Sequence, residues 1–296
     1  MKAILPAILL LTALGLRAQG LDAVEADLES FRQALPAALS AQRAAARAEL
    51  TDAQARALVK AKLAGSGVPD AYVDSVFDDP RSKLFADIPP KFGTPATPVP
   101  PVPYDQYRKY FVTPGNLDAG ARFVRDHRAL LAAIEARFHV DGSLLAGLVC
   151  VETRFGTATG KYPVFDALNT IVQKVPQRSD WAAREAAALL KMTRAQGMDA
   201  HAVLGSYAGA FGFVQFEPST YDLVAVDFVQ DGRRRLDEWP DALASAANYL
   251  ARAGYRAGDP FTASSSIGRA LRSYNHSDNY VQVILDLRGE IQKLNP

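Results

Sequence analysis

Apolar residues recur at helical spacing along most of this chain, and no long run alternates apolar with polar positions as a half-buried strand would. Residues 21–39 and 41–63 are rich in Ala, Leu, Arg and Glu. Thr51 and Asp52 offer a cap before Leu58, Val59 and Leu63, and Gly65-Ser66-Gly67 ends the pattern. Pro69 and Asp70 start a short amphipathic piece with Tyr72, Val73, Val76 and Phe77. Residues 88–103, I-P-P-K-F-G-T-P-A-T-P-V-P-P-V-P, cannot hold a helix or a central strand and are predicted to run extended over the surface. Beyond them, Thr113-Pro114-Gly115-Asn116 opens a helix carrying Phe123, Leu130, Leu131 and Ile134. Further helices are expected near residues 143–155, 165–171, 181–195, 241–253, 265–271 and 280–294. The expected fold class is mainly α: an N-terminal helical region over 21–88, a Pro-rich linker over 89–103 marking the internal boundary, and a second domain over 104–296.

One residue breaks the pattern of its own helix. In S-L-L-A-G-L-V-C-V-E-T-R-F-G, Ser143 can cap the start, Leu144, Leu145, Leu148, Val149 and Val151 repeat at helical spacing, and Gly156 offers a stop. Glu152 falls four residues after Leu148 and three after Val149, so its carboxyl lies on the apolar face, where an uncompensated charge is disfavoured. Burial there would raise its pKa and keep it protonated near neutral pH, as general-acid work requires. Pairing with Arg154 is the structural alternative, and periodicity leaves both open.

Composition narrows the classes. With 296 residues, 49% of them hydrophobic, the chain can bury a sizeable core. Residues 1–20 combine basic Lys2, an apolar run from Ala3 to Leu16 and small Ala18 and Gly20, as a secretory signal does, and the run is short for a membrane span. No Cys follows it, so a periplasmic or secreted chain without a transmembrane segment or lipid anchor is expected. Its removal takes the formal charge from 33 − 32 = +1 to 31 − 32 = −1, which gives no reason to expect nucleic acid as a partner. Cys150 is the only cysteine and reads as a small buried residue; His127, His139, His201 and His276 show no metal-binding spacing.

A second unusual stretch is G-S-Y-A-G-A-F-G-F-V-Q-F-E-P-S-T-Y, from Gly205 to Tyr221. Its glycines suit a wall where backbone approaches a ligand closely. Tyr207, Phe211, Phe213, Phe216 and Tyr221 can stack on sugar faces, with Ser206 and Gln215 as hydrogen-bonding groups; aromatics turned into the core are the plainer reading.

The ordered set G-L-V-C-V-E-T-R-F-G, G-K-Y-P-V-F-D-A-L, G-S-Y-A-G-A-F-G-F-V-Q-F-E-P-S-T-Y, A-V-D-F-V-Q-D-G-R, D-A-L-A-S-A-A-N-Y-L and S-Y-N-H-S-D-N-Y, with Y-R-K-Y-F-V-T-P-G-N upstream, resembles the family B lytic murein transglycosylases. The resemblance covers Tyr107 to about Leu287. It implies a lysozyme-like, mainly helical catalytic domain that acts on peptidoglycan glycan strands in the periplasm, requires no cofactor, and uses Glu152 as its acid. It also places Ser206 and Gln215 along the glycan groove, beside the sugar-stacking candidate Tyr207, with Tyr249, Tyr274 and Asn275 near the acid.

Two departures stand out. The family commonly carries paired arginines after the D-A-L helix, where this chain has Val175-Pro176-Gln177-Arg178, leaving Arg178 as the substrate-binding charge. Its F-M-P-S becomes Phe216-Glu217-Pro218-Ser219, which adds an acid near the wall. A hydrolysing muramidase would need such a second carboxylate, Glu217 or Asp166, to hold water; a non-catalytic peptidoglycan-binding module would need no acid at all.

Residues 227–238, D-F-V-Q-D-G-R-R-R-L-D-E, match an EF-hand-type loop at Asp227, Asp231, Gly232 and Glu238, and related enzymes bind calcium here with an acid matching Asp241. Val229 supplies no side-chain oxygen, and Arg233, Arg234 and Arg235 oppose a cation. The expectation is a structural calcium site at Asp227, Asp231, Glu238 and Asp241, set against a loop that keeps the shape without the ion.

Overall fold

The computed structural model describes residues 48–93 and 102–295; the expected signal over 1–20 and the helix over 21–39 lie outside these residues. Among the described residues the apolar periodicities condense into twelve α-helices, with one two-residue strand pair between them.

The first two helices are α1 (Asp52–Leu63), which starts at a side-chain cap, and α2 (Asp70–Phe77), which follows Pro69 without one. Thr51 and Gln54 form a reciprocal capping box at α1. Arg56 of α1 then reaches Asp52, Asp74 and Asp78, and Lys60 reaches Asp74, tying α1 to α2. A 3₁₀ turn, Pro89–Phe92, follows.

These N-terminal pieces are not a separate region. Leu50 N–H donates to the Gln173 carbonyl at 2.9 Å, Phe85 N–H to Thr170 Oγ1 at 3.0 Å, and Tyr72 Oη bonds Thr193 Oγ1 at 3.0 Å. Ile88 is fully buried, and the Phe77 ring meets Phe165 edge-on at 5.1 Å. Residues 50–93 share one core with everything after residue 102, so the Pro-rich segment, of which 94–101 lie outside the described residues, does not divide two compact units.

Past it come α3 (Tyr104–Phe111), α4 (Pro114–Asp126), α5 (Arg128–Phe138) and α6 (Gly142–Thr153). The single helix expected through Phe123 and Ile134 is broken at His127, where the backbone leaves helical geometry. Asp141, not Ser143, caps α6: its carboxylate accepts Leu144 N–H at 2.7 Å, and Arg288 holds the same carboxylate.

Helix α6 is buried nearly all round because four helices enclose it: α4, α5, α10 (Trp239–Arg252) and α12 (Asp278–Lys293). Gly147 lets α12 approach closely, since a Cβ there would lie 3.0 Å from the Ile284 carbonyl oxygen. Around this core stand α7 (Val164–Lys174), the long α8 (Ser179–Gln196) with α1 packed on it, α9 (Pro218–Val224) and α11 (Ser266–Tyr274). Strands β1 (Tyr162–Pro163) and β2 (Leu204–Gly205) pair antiparallel with Tyr162 opposite Gly205.

Candidate active site

Helix α6 ends abruptly. Arg154, Phe155 and Gly156 all take positive φ (48°, 56° and 81°), so Arg154, not Gly156, is the left-handed cap. Two consecutive non-glycine residues in this conformation are strained, and the strain is held by Thr153, whose hydroxyl donates to the Phe213 carbonyl at 2.9 Å and accepts Gly156 N–H at 3.1 Å. This turn fixes Glu152 in the last helical turn, half-buried and facing a cluster of tyrosines.

Tyr280, only 2% exposed, donates its hydroxyl to Glu152 Oε1. Its ring stacks on Tyr274 at 6.4 Å, and Tyr274 packs edge-on against Tyr249 at 4.8 Å. Tyr274 Oη donates to the Val214 carbonyl and Tyr249 Oη to the Ser273 carbonyl, so both rings are anchored to the walls. Burial pushes the Glu152 carboxyl up to about 7, against the Tyr280 hydrogen bond, which favours the ionised form. Burial and the nearby Glu152 charge together hold the Tyr107, Tyr274 and Tyr280 hydroxyls above their ordinary value, so all three stay neutral. Arg154 is exposed and is not among the groups acting on Glu152; the structural pairing that periodicity left open is not made. An acid poised near neutrality, held by a neutral donor, can give up a proton and take one back.

Gly205 to Tyr221 forms the facing wall. Isolated bridges join Gly205 to Phe211 and Phe211 to Phe216, folding the segment back on itself. Gly212 makes this possible: its φ is 73°, and a Cβ there would lie 2.4 Å from Leu236 Cβ. Phe211, Phe216 and Tyr221 are buried in the core, and Phe213 stacks on Trp239 at 4.1 Å. Of the five aromatics expected to meet sugar, only Tyr207 is well exposed, at 37%, with Phe92 at 5.8 Å beside it. Gln215, also at positive φ, spends its amide N–H groups on the carbonyls of Thr159 (3.0 Å) and Gly212 (2.9 Å), which leaves its carbonyl as the acceptor it can offer a ligand. Ser206 Oγ accepts Ala208 and Ala210 N–H, leaving its own proton to donate. Asn275 Oδ1 accepts Ser277 N–H at 3.1 Å, fixing the turn from α11 to α12.

Sequence reasoning did not single out Tyr280 or Tyr107 as site residues. Both stood inside the quoted motifs, but Tyr280 reads as a buried helix position until α11, the Ser277 cap and α12 fold it over Glu152.

The remaining acids lie elsewhere. Glu217 starts α9, where burial and the Glu185 charge raise its pKa while the Trp181 indole and Arg178 counter them. Arg178 itself is exposed, at 6.0 Å from the Trp181 ring. Glu185 is buried and accepts both Ser219 N–H and Ser219 Oγ–H at 2.9 Å. Asp166, 1% exposed, faces His201 Nδ1 at 3.2 Å and has no opening to a cleft. Cys150 is buried in α6, its thiol pushed up to about 12 by burial. A cavity of about 500 Å³ is lined by Thr159, Met198, Phe211, Phe213, Arg234 and Leu236, among others, and Glu152 is not in its walls.

The four candidate calcium ligands do not converge on an ion. Asp227 accepts N–H from Gln230, Asp231 and Gly232, and buried Asp241 accepts N–H from Phe228 and Arg235, while Asp231 and Glu238 bind the Arg235 guanidinium. Among the described residues no group of three or more His, Cys, Asp or Glu is arranged to hold a metal. Val229, the position lacking an oxygen ligand, points to solvent at 51% exposure.

Known proteins resemble this chain in sequence and in fold. Membrane-bound lytic murein transglycosylase B of Escherichia coli strain K12 is 37% identical over 154 residues, 52% of this chain and 43% of that protein, so the match spans less than half of the relative. The soluble lytic transglycosylase SltB1 of Pseudomonas aeruginosa superposes with a TM-score of 0.75 at 25% identity, covering 82% of this chain and 99% of that one. A lytic transglycosylase of Escherichia coli in complex with calcium gives a TM-score of 0.71 at 24% identity, covering 81% of this chain and 92% of the other. Residues 51–270 match the transglycosylase SLT domain, and with most of its length inside that match the chain belongs to the transglycosylase SLT family.

Proposed function

We propose that this chain is a lytic transglycosylase that cleaves the β-1,4 bond between N-acetylmuramic acid and N-acetylglucosamine in peptidoglycan. The observation that carries the reading is Glu152: a carboxyl held at about 7 by burial, gripped by the Tyr280 hydroxyl. Glu152 gives its proton to the glycosidic oxygen as that bond breaks and positive charge develops at C1. The substrate's own 2-acetamido oxygen bonds to C1 and carries the charge. The Glu152 carboxylate then takes the C6 hydroxyl proton; the C6 oxygen bonds to C1, the acetamido oxygen leaves, and a 1,6-anhydro end forms with no water consumed.

Ser206 as donor and Gln215 as acceptor are proposed to fix the sugar hydroxyl and acetamido groups, with Tyr207, Tyr249, Tyr274, Asn275 and Arg178 as further contacts. The environments of Glu217 and Asp166 argue against a hydrolytic partner for Glu152: Glu217 starts α9 beside Glu185, with burial and that charge raising its pKa, and Asp166 is enclosed with His201. Residues 1–20 read as an export signal, which supports action in the periplasm or outside the cell. Among the described residues no helix is long and apolar enough to cross a membrane. One relative's fold is known with calcium, but the carboxylates of this chain are spent on its own backbone and on Arg235 and do not fit the ion.

Mass analysis of muropeptides released from purified peptidoglycan tests the reading. Products lighter by one water than reducing ends are expected from the unmodified chain, and none from Glu152→Gln. Predominantly reducing ends, or turnover by the Gln variant, would reject it.

A further inference from the structure

The loop between α9 and α10 and the first turn of α10 carry the four candidate carboxylates Asp227, Asp231, Glu238 and Asp241, and the geometry assigns their cation. Asp227 is satisfied by backbone alone, through Gln230, Asp231 and Gly232 N–H at 2.6, 3.2 and 2.8 Å. The other three acids meet at one residue. Arg235 N–H donates to Asp241 Oδ2, one guanidinium nitrogen to Asp231 Oδ2 and the other to Glu238 Oε1, each at 2.8 Å. We propose that Arg235 is the resident cation of this loop, gathering the acids that a calcium ion would otherwise gather, so that the loop closes and holds the cleft wall without a metal.

The chemistry of the two cations makes this an alternative and not an addition. Calcium needs six to eight oxygens at about 2.3–2.6 Å, and here Val229 offers none while seven carboxylate oxygens already accept N–H groups. A guanidinium presents donors in a fixed fork that spans two carboxylates, and its charge would repel an ion placed between them. Arg233 and Arg234 add to that repulsion. Arg234 also lies over the Tyr221 ring at 4.8 Å and accepts its hydroxyl at 3.0 Å through the backbone carbonyl.

The consequence reaches the cleft. Phe213 N–H donates to the Leu236 carbonyl at 2.7 Å, and Gly212 packs on Leu236, so the residue after Arg235 props the wall that carries Gln215. The position of the wall therefore follows from Arg235 and not from the supply of calcium.

Thermal melting of the full chain tests this without recourse to activity. The unmodified protein should melt at the same temperature in chelator and in millimolar calcium, whereas a bound ion would raise the midpoint by mass action. Arg235→Gln should lower the midpoint in chelator by about 2–4 °C, a small loss because the partners are partly exposed. Arg235→Lys, with a single ammonium that cannot fork, should recover only part of it. A calcium-dependent rise in the unmodified protein, or an Arg235→Gln variant that melts with it in chelator, would overturn the proposal.

Discussion

Glu152→Gln is expected to stabilise this protein while removing its proposed chemistry, and the gain should depend on pH. Burial raises the folded-state pKa of Glu152 from 4.5 to about 7. Below pH 4.5 the carboxyl is protonated in both states and is neutral in its effect on folding. Between pH 4.5 and 7 the unfolded chain releases the proton and the folded chain keeps it, so stability falls as pH rises, and above about 7 the full penalty is present. At about 1.4 kcal/mol for each pH unit separating the two values, the penalty reaches about 3 kcal/mol. Glutamine cannot ionise, and its carbonyl still accepts the Tyr280 hydroxyl, so the variant escapes the penalty. For a folded unit of this size the midpoint of melting should rise by roughly 6–10 °C at pH 8. Paired melts or urea titrations of both proteins from pH 4.5 to 8 measure it. The two stability curves should converge at the acid end and separate through pH 6. Curves that stay parallel across this range would refute the claim that burial of Glu152, and not some local contact, sets its protonation.

Tyr280→Phe removes the hydroxyl that favours ionised Glu152, so the basic limb of the pH–rate profile should move upward by about one unit and kcat should fall about tenfold; an unmoved limb would show that the hydroxyl does not act on the acid. Gly212→Ala places a Cβ against Leu236 in a left-handed backbone position, and urea unfolding should show a loss of roughly 2–5 kcal/mol. His201→Leu strips the buried Asp166 of its partner and should cost about 3–5 kcal/mol, with Asp166→Asn in the same chain returning part of it; equal stability of the single and double variants would show that the pair is not coupled.

Local rules made the helices legible. Cap chemistry at Thr51, Thr113, Ser265 and Ser277, Pro at first turns and apolar spacing of 3.6 are properties of a few neighbouring residues, and the helices begin close to where these signals stand. Glu152 was legible for the same reason, as one acid on the apolar face of its own helix. What surrounds it was not. Tyr280 lies 128 positions away, and its hydroxyl reaches Glu152 only because α12 packs along α6 across Gly147.

Burial likewise had to be decided in three dimensions. Phe211, Phe216 and Tyr221 share a stretch with Tyr207, yet the turn at Gly212 sends the first three into the core and leaves Tyr207 at the surface. The Pro-rich segment looked like a boundary because proline breaks regular structure, but Phe77 before it meets Phe165 of α7 and Ile88 joins the same buried core, and buried area rather than backbone stiffness decides which residues share a domain. Over residues 227–241 the sequence determined five acids and three arginines in order. Only the fold decided that Arg235 turns inward to bridge two of those acids and hold a third through its N–H, because a charge is placed by the partners within its reach and not by its position in the chain.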